Sequence, residues 1–267
     1  MRVISKLDIK DNVLVKGINF EGLRKIGDPV AFAQNYYKQK IDEIIFIDPV
    51  ASLYNKQINY NIIKNIANKL FIPKICGGGI KNLENIRKLL EVGADIVTIN
   101  SALIHKPSFI SEAANTFGRS TIVASITMKK IKNEYYVFID NGKINTGKKV
   151  LSWIKELQYK GAGQILVTSI DKDGTGNGFE IEIIKKMHKI CKIPIILSGG
   201  FGRIAHLKKI KRYCDAIAIS SSFHKNFQLD QYSKKKRKNN TFEFYDLTNN
   251  NKIDSSSVLS IKNFFNA

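Results

Sequence analysis

Four segments of this chain recur, in order, about 120 positions further along. VISKLDIK (3–10), EIIFID (43–48), CGGGI (76–80) and VTINSALIH (97–105) are answered by IVASITMK (122–129), QILVTS (164–169), SGGFG (198–202) and IAISSSFH (217–224). A nearly fixed offset across four segments marks a duplicated architecture. Within that register Asp8 of the first half falls opposite Thr127 of the second.

The runs inside the repeat are rich in Ile and Val and almost continuously apolar, as parallel strands buried on both faces are. Strands are predicted over 3–8, 43–48, 72–76, 95–100, 121–127, 164–169, 193–198 and 215–220. Amphipathic stretches lie between them, among them 29–40, 82–93 and 179–191. In 82–93, Leu83, Ile86, Leu89 and Leu90 share one helical face, and Gly93 stands where a helix-ending glycine belongs. Eight strands alternating with helices in two matching halves predict an α/β chain folded as one (β/α)8 barrel built from two half-barrels, spanning residues 1–267. A doubly wound open sheet is the alternative, but it does not require matching halves. Two stretches break the rhythm: residues 9–28, read as a long first βα loop over the active face, and a polar insertion over about 226–254 before a last helix near 255–266.

No apolar run approaches the roughly 20 residues of a membrane helix, and MRVISKLDIK carries no hydrophobic region followed by a cleavage site, so neither a span nor an export signal is expected. Three widely spaced cysteines without a CxxC fit reduced thiols, and the expected location is the cytoplasm. The net charge of +20 favours anions. Its lysines are spread along the chain without a nucleic-acid-binding motif, which argues against a nucleic-acid partner; KKKRK (234–238) reads as a solvated loop.

A barrel places its chemistry at the C-terminal ends of its strands. Asp8 ends the first strand, Asp48 the second, and Asp171 and Asp173 follow the sixth. The competing role for each is capping of the next turn or helix, weakest for Asp8 because no helix follows for some twenty residues. Glycine-rich GGGI (77–80) and SGGFG (198–202) follow strands 3 and 7, with NSA (100–102) after strand 4 and SSS (220–222) at the end of strand 8. Glycine-freed N–H groups and hydroxyls make phosphate cradles. Two cradles related by the repeat suggest a ligand with a phosphate at each end; alternatively, the glycines serve tight turns alone. The four histidines have no metal-ligand spacing, and no Walker loop or GxSxG is present, so no metal and no cofactor is expected.

KLDIKDNVLVKGINFEGLRKIGDP (6–29), CGGGI, ADIVTINSALI (94–104), NTGKKVLSW (145–153), GAGQILVTSIDKDGTGNGF (161–179) and LSGGFG resemble the cyclase subunit of imidazole glycerol phosphate synthase and its sister isomerase of histidine biosynthesis. KGxNFExLRxxGDP points to the cyclase side. The resemblance implies a reaction in which ammonia from a glutaminase partner is added to a phosphorylated nucleotide, an imidazole is closed, and an aminoimidazole nucleotide is released. It implies two aspartates as general acid and base. Asp8 matches the first; the second falls on Thr127, which cannot hold a charge at neutral pH. Lys16 matches a lysine of the first loop that approaches substrate. Phosphate contacts carry over to Gly79, Asn100 and Ser101 at one end, and to Asp173, Gly174, Gly200, Ser220 and Ser221 at the other. At the barrel's bottom, Arg2 and Glu43 match two members of a charged ring that gates ammonia. Ile96 and Gln164 replace a lysine and a glutamate of that ring, and Asp95 matches an acid that contacts the glutaminase.

The changed acid sets three readings, of which the first is the favoured one and the others its alternatives. The first is a divergent, glutaminase-coupled paralogue serving sugar amidation in surface-polysaccharide synthesis. The second is the true histidine-pathway cyclase. The third is a non-catalytic scaffold that conducts ammonia. In each, the ligand is a phosphorylated sugar or nucleotide.

Overall fold

The computed structural model describes residues 1–235, 247 and 251–266. Its strands are β1 (Arg2–Lys10), β2 (Val13–Ile18), β3 (Glu21–Gly27), β4 (Glu43–Ile47), β5 (Lys74–Gly77), β6 (Ile96–Ile99), β7 (Ile122–Ile131), β8 (Glu134–Ile139), β9 (Ile144–Lys149), β10 (Gln164–Ser169), β11 (Ile195–Ser198) and β12 (Ala216–Ile219). Eight of them, β1, β4, β5, β6, β7, β10, β11 and β12, pair in parallel around a closed ring, the last pairing being β7 with β10. Helices connect the ring strands, so the chain is a (β/α)8 barrel and not an open sheet.

Side chains of a strand alternate between its faces. On β1, Ile4 belongs to the barrel interior, with Ile45, Ile75, Val123, Leu166, Ile196, Ala216 and Ala218. Val3 and Leu7 face the other way, into the larger core beneath the helices. Two apolar layers on either side of each strand explain the unbroken Ile and Val runs. The helices begin on local caps. Asp28 accepts from Val30 N ahead of Pro29–Lys38, and Asn82 accepts from Asn85 N ahead of Leu83–Glu91. Gly93, at φ +102°, lies just past the end of the second of these helices.

Residues 9–28 are not an irregular loop. β1 runs on to Lys10 and pairs antiparallel with β2, which pairs with β3. The second half repeats the device: β7 runs on to Ile131 and pairs with β8, and β8 with β9. Both ribbons turn on residues with positive φ, Asp11–Asn12 and Asn19–Phe20 in the first, Lys132 and Asp140–Asn141–Gly142 in the second. Asn, Asp and Gly reach that region at least cost, and its twist suits tight hairpins. Strand 1 therefore does not end at Asp8. Asp8 is where β1 leaves the barrel for its ribbon, pairing with Ile47 of β4 on one side and Val15 of β2 on the other. Thr127 holds the matching place on β7, between Thr168 and Phe138.

The stretch read as an insertion begins as helix, because Ser221–Lys235 is one continuous element. Most of the remainder, including the end of KKKRK, lies outside the described residues. The chain returns over the barrel mouth at 252–256: Asp254 N donates to Gly202 O, and Lys225 Nζ to Ile253 O. A last helix, Val258–Asn266, packs through buried Val258 and Ile261. No described helix is long and apolar enough to cross a membrane.

Candidate active site

The mouth of the barrel opens into a cavity of about 440 Å³. Lys6 and Asp8 of β1, Ser125 and Thr127 of β7, Thr98 of β6 and Thr168 of β10 form its floor, with Asn100, Ser101, Gly78 and Gly79 on one wall. Asp140 and Asn141, at the tip of the second ribbon, and Phe20, at the tip of the first, also line it. Asn141 Nδ2 donates to Phe20 O at 3.1 Å, so the two ribbon tips meet over the mouth.

Asp8 is 5% exposed. Its Oδ1 lies 2.9 Å from Lys6 Nζ and its Oδ2 lies 3.9 Å from Lys16 Nζ. Lys16, on β2, donates to both carboxylate oxygens of Asp173, at 3.0 and 2.8 Å. Four buried groups of alternating charge thus run Lys6–Asp8–Lys16–Asp173. Burial works to lower the pKa of Lys6. The fields of Asp8 and Asp173 and the Asp8 contact outweigh it, and the group is held above the ordinary lysine value. Lys6 is an ammonium at neutral pH. Opposite, Thr127 Oγ1 accepts from Asn100 Nδ2 at 3.1 Å. Asp8 and Thr127 share one cavity, as the repeat requires.

The first cradle opens onto that cavity. Gly79 stands at φ +67°, and a Cβ there would lie 1.9 Å from Lys56 O, so the glycine is needed for the turn itself. Ser101 Oγ donates to Asp140 Oδ1 at 3.1 Å. The second cradle lies apart from the cavity lining. Asp173 is taken up by Lys16, Gly174 packs against the backbone of Gly17, and Gly200 packs against that of Gly178. Ser220 Oγ donates to Lys6 O at 2.7 Å, and Ser221 is buried at the start of its helix. The first ribbon covers this side, with Asn19 N donating to Asp173 O at 2.9 Å and Asn19 Nδ2 to Ile170 O at 2.8 Å.

The other two acids have local duties. Asp48 borders the cavity and accepts from Val50 N, and burial raises its pKa. Asp171 accepts from Lys130 N at 2.8 Å and so fastens the second ribbon. His224 is fully buried, and its Nδ1 lies 2.6 Å from the Tyr36 hydroxyl. Burial first, then the charges of Lys16 and Lys6, hold its pKa down to about 3, so it is neutral.

At the bottom of the barrel Arg2 Nη1 donates to Glu43 Oε1 and Nη2 to Gln164 Oε1, both at 2.7 Å. Gln164 keeps the contact with Arg2 without a charge. Ile96 packs against the barrel interior. Asp95 stands nearby, its side chain half exposed, paired with Lys74 Nζ at 2.7 Å and accepting from Lys74 N.

Sequence reading missed Lys6 and the hydroxyl layer of Thr98, Ser125 and Thr168. A signal was there. Lys6 and Asp8 are two apart in an otherwise apolar strand and so share a face, and each hydroxyl interrupts an Ile/Val run. Asp140 and Asn141 were missed together with the second ribbon.

A closed parallel barrel with ionisable groups and a glycine-rich turn at its C-terminal mouth defines a TIM barrel whose candidate site lies where such barrels place their chemistry. Comparison with known proteins narrows this. Residues 2–227 match the family model described as "Histidine biosynthesis protein". The chain is 43% identical over 223 residues to "Imidazole glycerol phosphate synthase subunit HisF" of Sulfolobus acidocaldarius, covering 84% of this chain and 90% of that one. It is 44% identical over 224 residues to the protein of the same name from Campylobacter concisus, covering 84% of this chain and 89% of that one. The chain belongs to the HisF family, the cyclase subunits of imidazole glycerol phosphate synthase. These relatives favour the histidine-pathway cyclase over the surface-polysaccharide paralogue that the loss of the second acid suggested.

Proposed function

We propose that this chain is the cyclase subunit of an imidazole glycerol phosphate synthase, accepting ammonia from a glutaminase and using it to close an imidazole on a phosphorylated nucleotide. The observation that carries this reading is the buried Asp8, held between two ammonium groups on the floor of a cavity whose wall is the Gly79–Asn100–Ser101 cradle. A carboxylate so placed is the group ammonia addition needs to take up a proton. The cradle suits one phosphate of the ligand, and Asp173, Gly174, Gly200, Ser220 and Ser221 suit the other once the first ribbon shifts from them. Arg2, Glu43, Ile96 and Gln164 frame the ammonia entry.

The test supplies the purified chain with free ammonia and the imidazole glycerol phosphate synthase nucleotide substrate. Turnover supports the reading. Its absence sinks it and leaves the polysaccharide-pathway paralogue, which Thr127 favours because a second acid is missing from the floor, and the ammonia-conducting scaffold. In the active case Thr127→Asp raises kcat, since an acid facing Asp8 restores the paired arrangement; unchanged or lower kcat would mean that the floor has been rebuilt around the threonine.

Asp95 is proposed to face the glutaminase. Asp95→Asn keeps an acceptor for Lys74 N, so the fold is retained, and co-purification with the glutaminase weakens. Undiminished capture would place the docking surface elsewhere.

A further inference from the structure

Within the repeat, Lys6 falls opposite Ser125 just as Asp8 falls opposite Thr127, and all four line the same cavity. β1 therefore gives the floor a cation and an anion, while β7 gives it two hydroxyls. Lys6 is 5% exposed, and its Nζ touches Asp8 Oδ1 at 2.9 Å. Its backbone is pinned by the Ser220 hydroxyl at 2.7 Å, which sets the height of the side chain in the barrel. An ammonium here is costly to bury, and an apolar side chain would fill the space at lower cost if packing were its duty. Of the other ionisable groups that line the cavity, Asp48 is engaged with Val50 N, Asp140 with Ser101 Oγ, Lys81 with Asn55 and Lys106 with Glu112, while His105 stands exposed at the rim, away from the buried floor.

We propose that Lys6 is a catalytic residue of this barrel, the general acid that replaces the acid absent at position 127, working as a proton-exchanging pair with Asp8. This rests on the cyclase reading above. As ammonia attacks a carbonyl carbon of the ligand, the C–N bond forms and the π pair of C=O moves to oxygen. That oxygen takes a proton from Lys6 Nζ. The new nitrogen, cationic after attack, gives a proton to Asp8. The products are a neutral carbinolamine, a neutral Lys6 amine and a protonated Asp8. One proton passed from Asp8 to Lys6 across their 2.9 Å contact restores both charges with no outside donor. Two groups on one strand thus do what two opposed acids do elsewhere.

Three variants test this, assayed with free ammonia and the imidazole glycerol phosphate synthase nucleotide substrate. Lys6→Met is expected to lower kcat roughly 100-fold or more with little change in KM. Lys6→Arg keeps the positive charge beside Asp8 but cannot release a proton. It is expected to fold, if Lys6→Met does not, and still to lose kcat; a purely structural lysine predicts retained activity in Lys6→Arg. Lys6→Met combined with Thr127→Asp is expected to recover part of the lost kcat. Wild-type turnover with an unchanged kcat in Lys6→Met or Lys6→Arg overturns the inference alone. No turnover by the wild type overturns the proposed function, and this inference with it.

Discussion

Asp8→Asn lowers kcat by roughly 100- to 10,000-fold, the usual range for loss of a positioned acid or base. Asparagine has nearly the same shape and still offers an oxygen to Lys6 and Lys16, so the cavity keeps its volume and ligand binding changes little. What disappears is the ability to take a proton and the negative charge between two ammonium groups, at 2.9 and 3.9 Å. Lys16 still has Asp173, whereas Lys6 is left buried beside a neutral amide. The same variant therefore melts at a lower temperature than the wild type. Both effects are read on one preparation, by steady-state turnover with free ammonia and by thermal unfolding. Unchanged turnover would remove Asp8 from the chemistry.

Lys16→Met produces the largest loss of stability. Lys16 and Asp173 are both buried, at 4% and 6% exposure, and their two hydrogen bonds tie β2 of the first ribbon to the turn after β10. Removing one partner leaves a carboxylate in the interior without compensation, which costs about 3–5 kcal/mol. Methionine fills the aliphatic path of the lysine, so the cost is electrostatic and not a cavity. The double variant Lys16→Met with Asp173→Asn is then more stable than Lys16→Met alone, because the orphaned charge is gone. Urea unfolding of the wild type, the single and the double variant measures this. A double variant no more stable than the single one would assign the loss to packing of the ribbon.

Much of the fold was legible because it rests on local patterns. Continuous Ile/Val runs predicted all eight barrel strands within a few residues, and Gly93 marked a helix end. The ribbons escaped because β1 and β7 carry on past the mouth under one unbroken pattern: ISKLDIK reads as a strand, and nothing in it says where the barrel partner is exchanged for a hairpin partner. Asp11–Asn12 and Asp140–Asn141–Gly142 were the turn signals. The site divided along the same line. Asp8, Thr127 and Gly79 were singled out through the repeat and the family motifs, and all three line the cavity. Lys6 was passed over because a lysine in a strand usually faces water, and only closure of the barrel turns that face inward.

The sequence by itself determined the eight-strand alternation, its division into two halves, and the register that sets Thr127 opposite Asp8, since period and register are written along the chain. Only the tertiary structure decided that Lys6, Asp8, Lys16 and Asp173 form one chain of charges. Lys16 and Asp173 are 157 positions apart. Their meeting depends on a closed ring of strands and on a ribbon folded across its mouth. Burial then makes each charge require its neighbour, a dependence absent from the sequence because it arises when water is excluded.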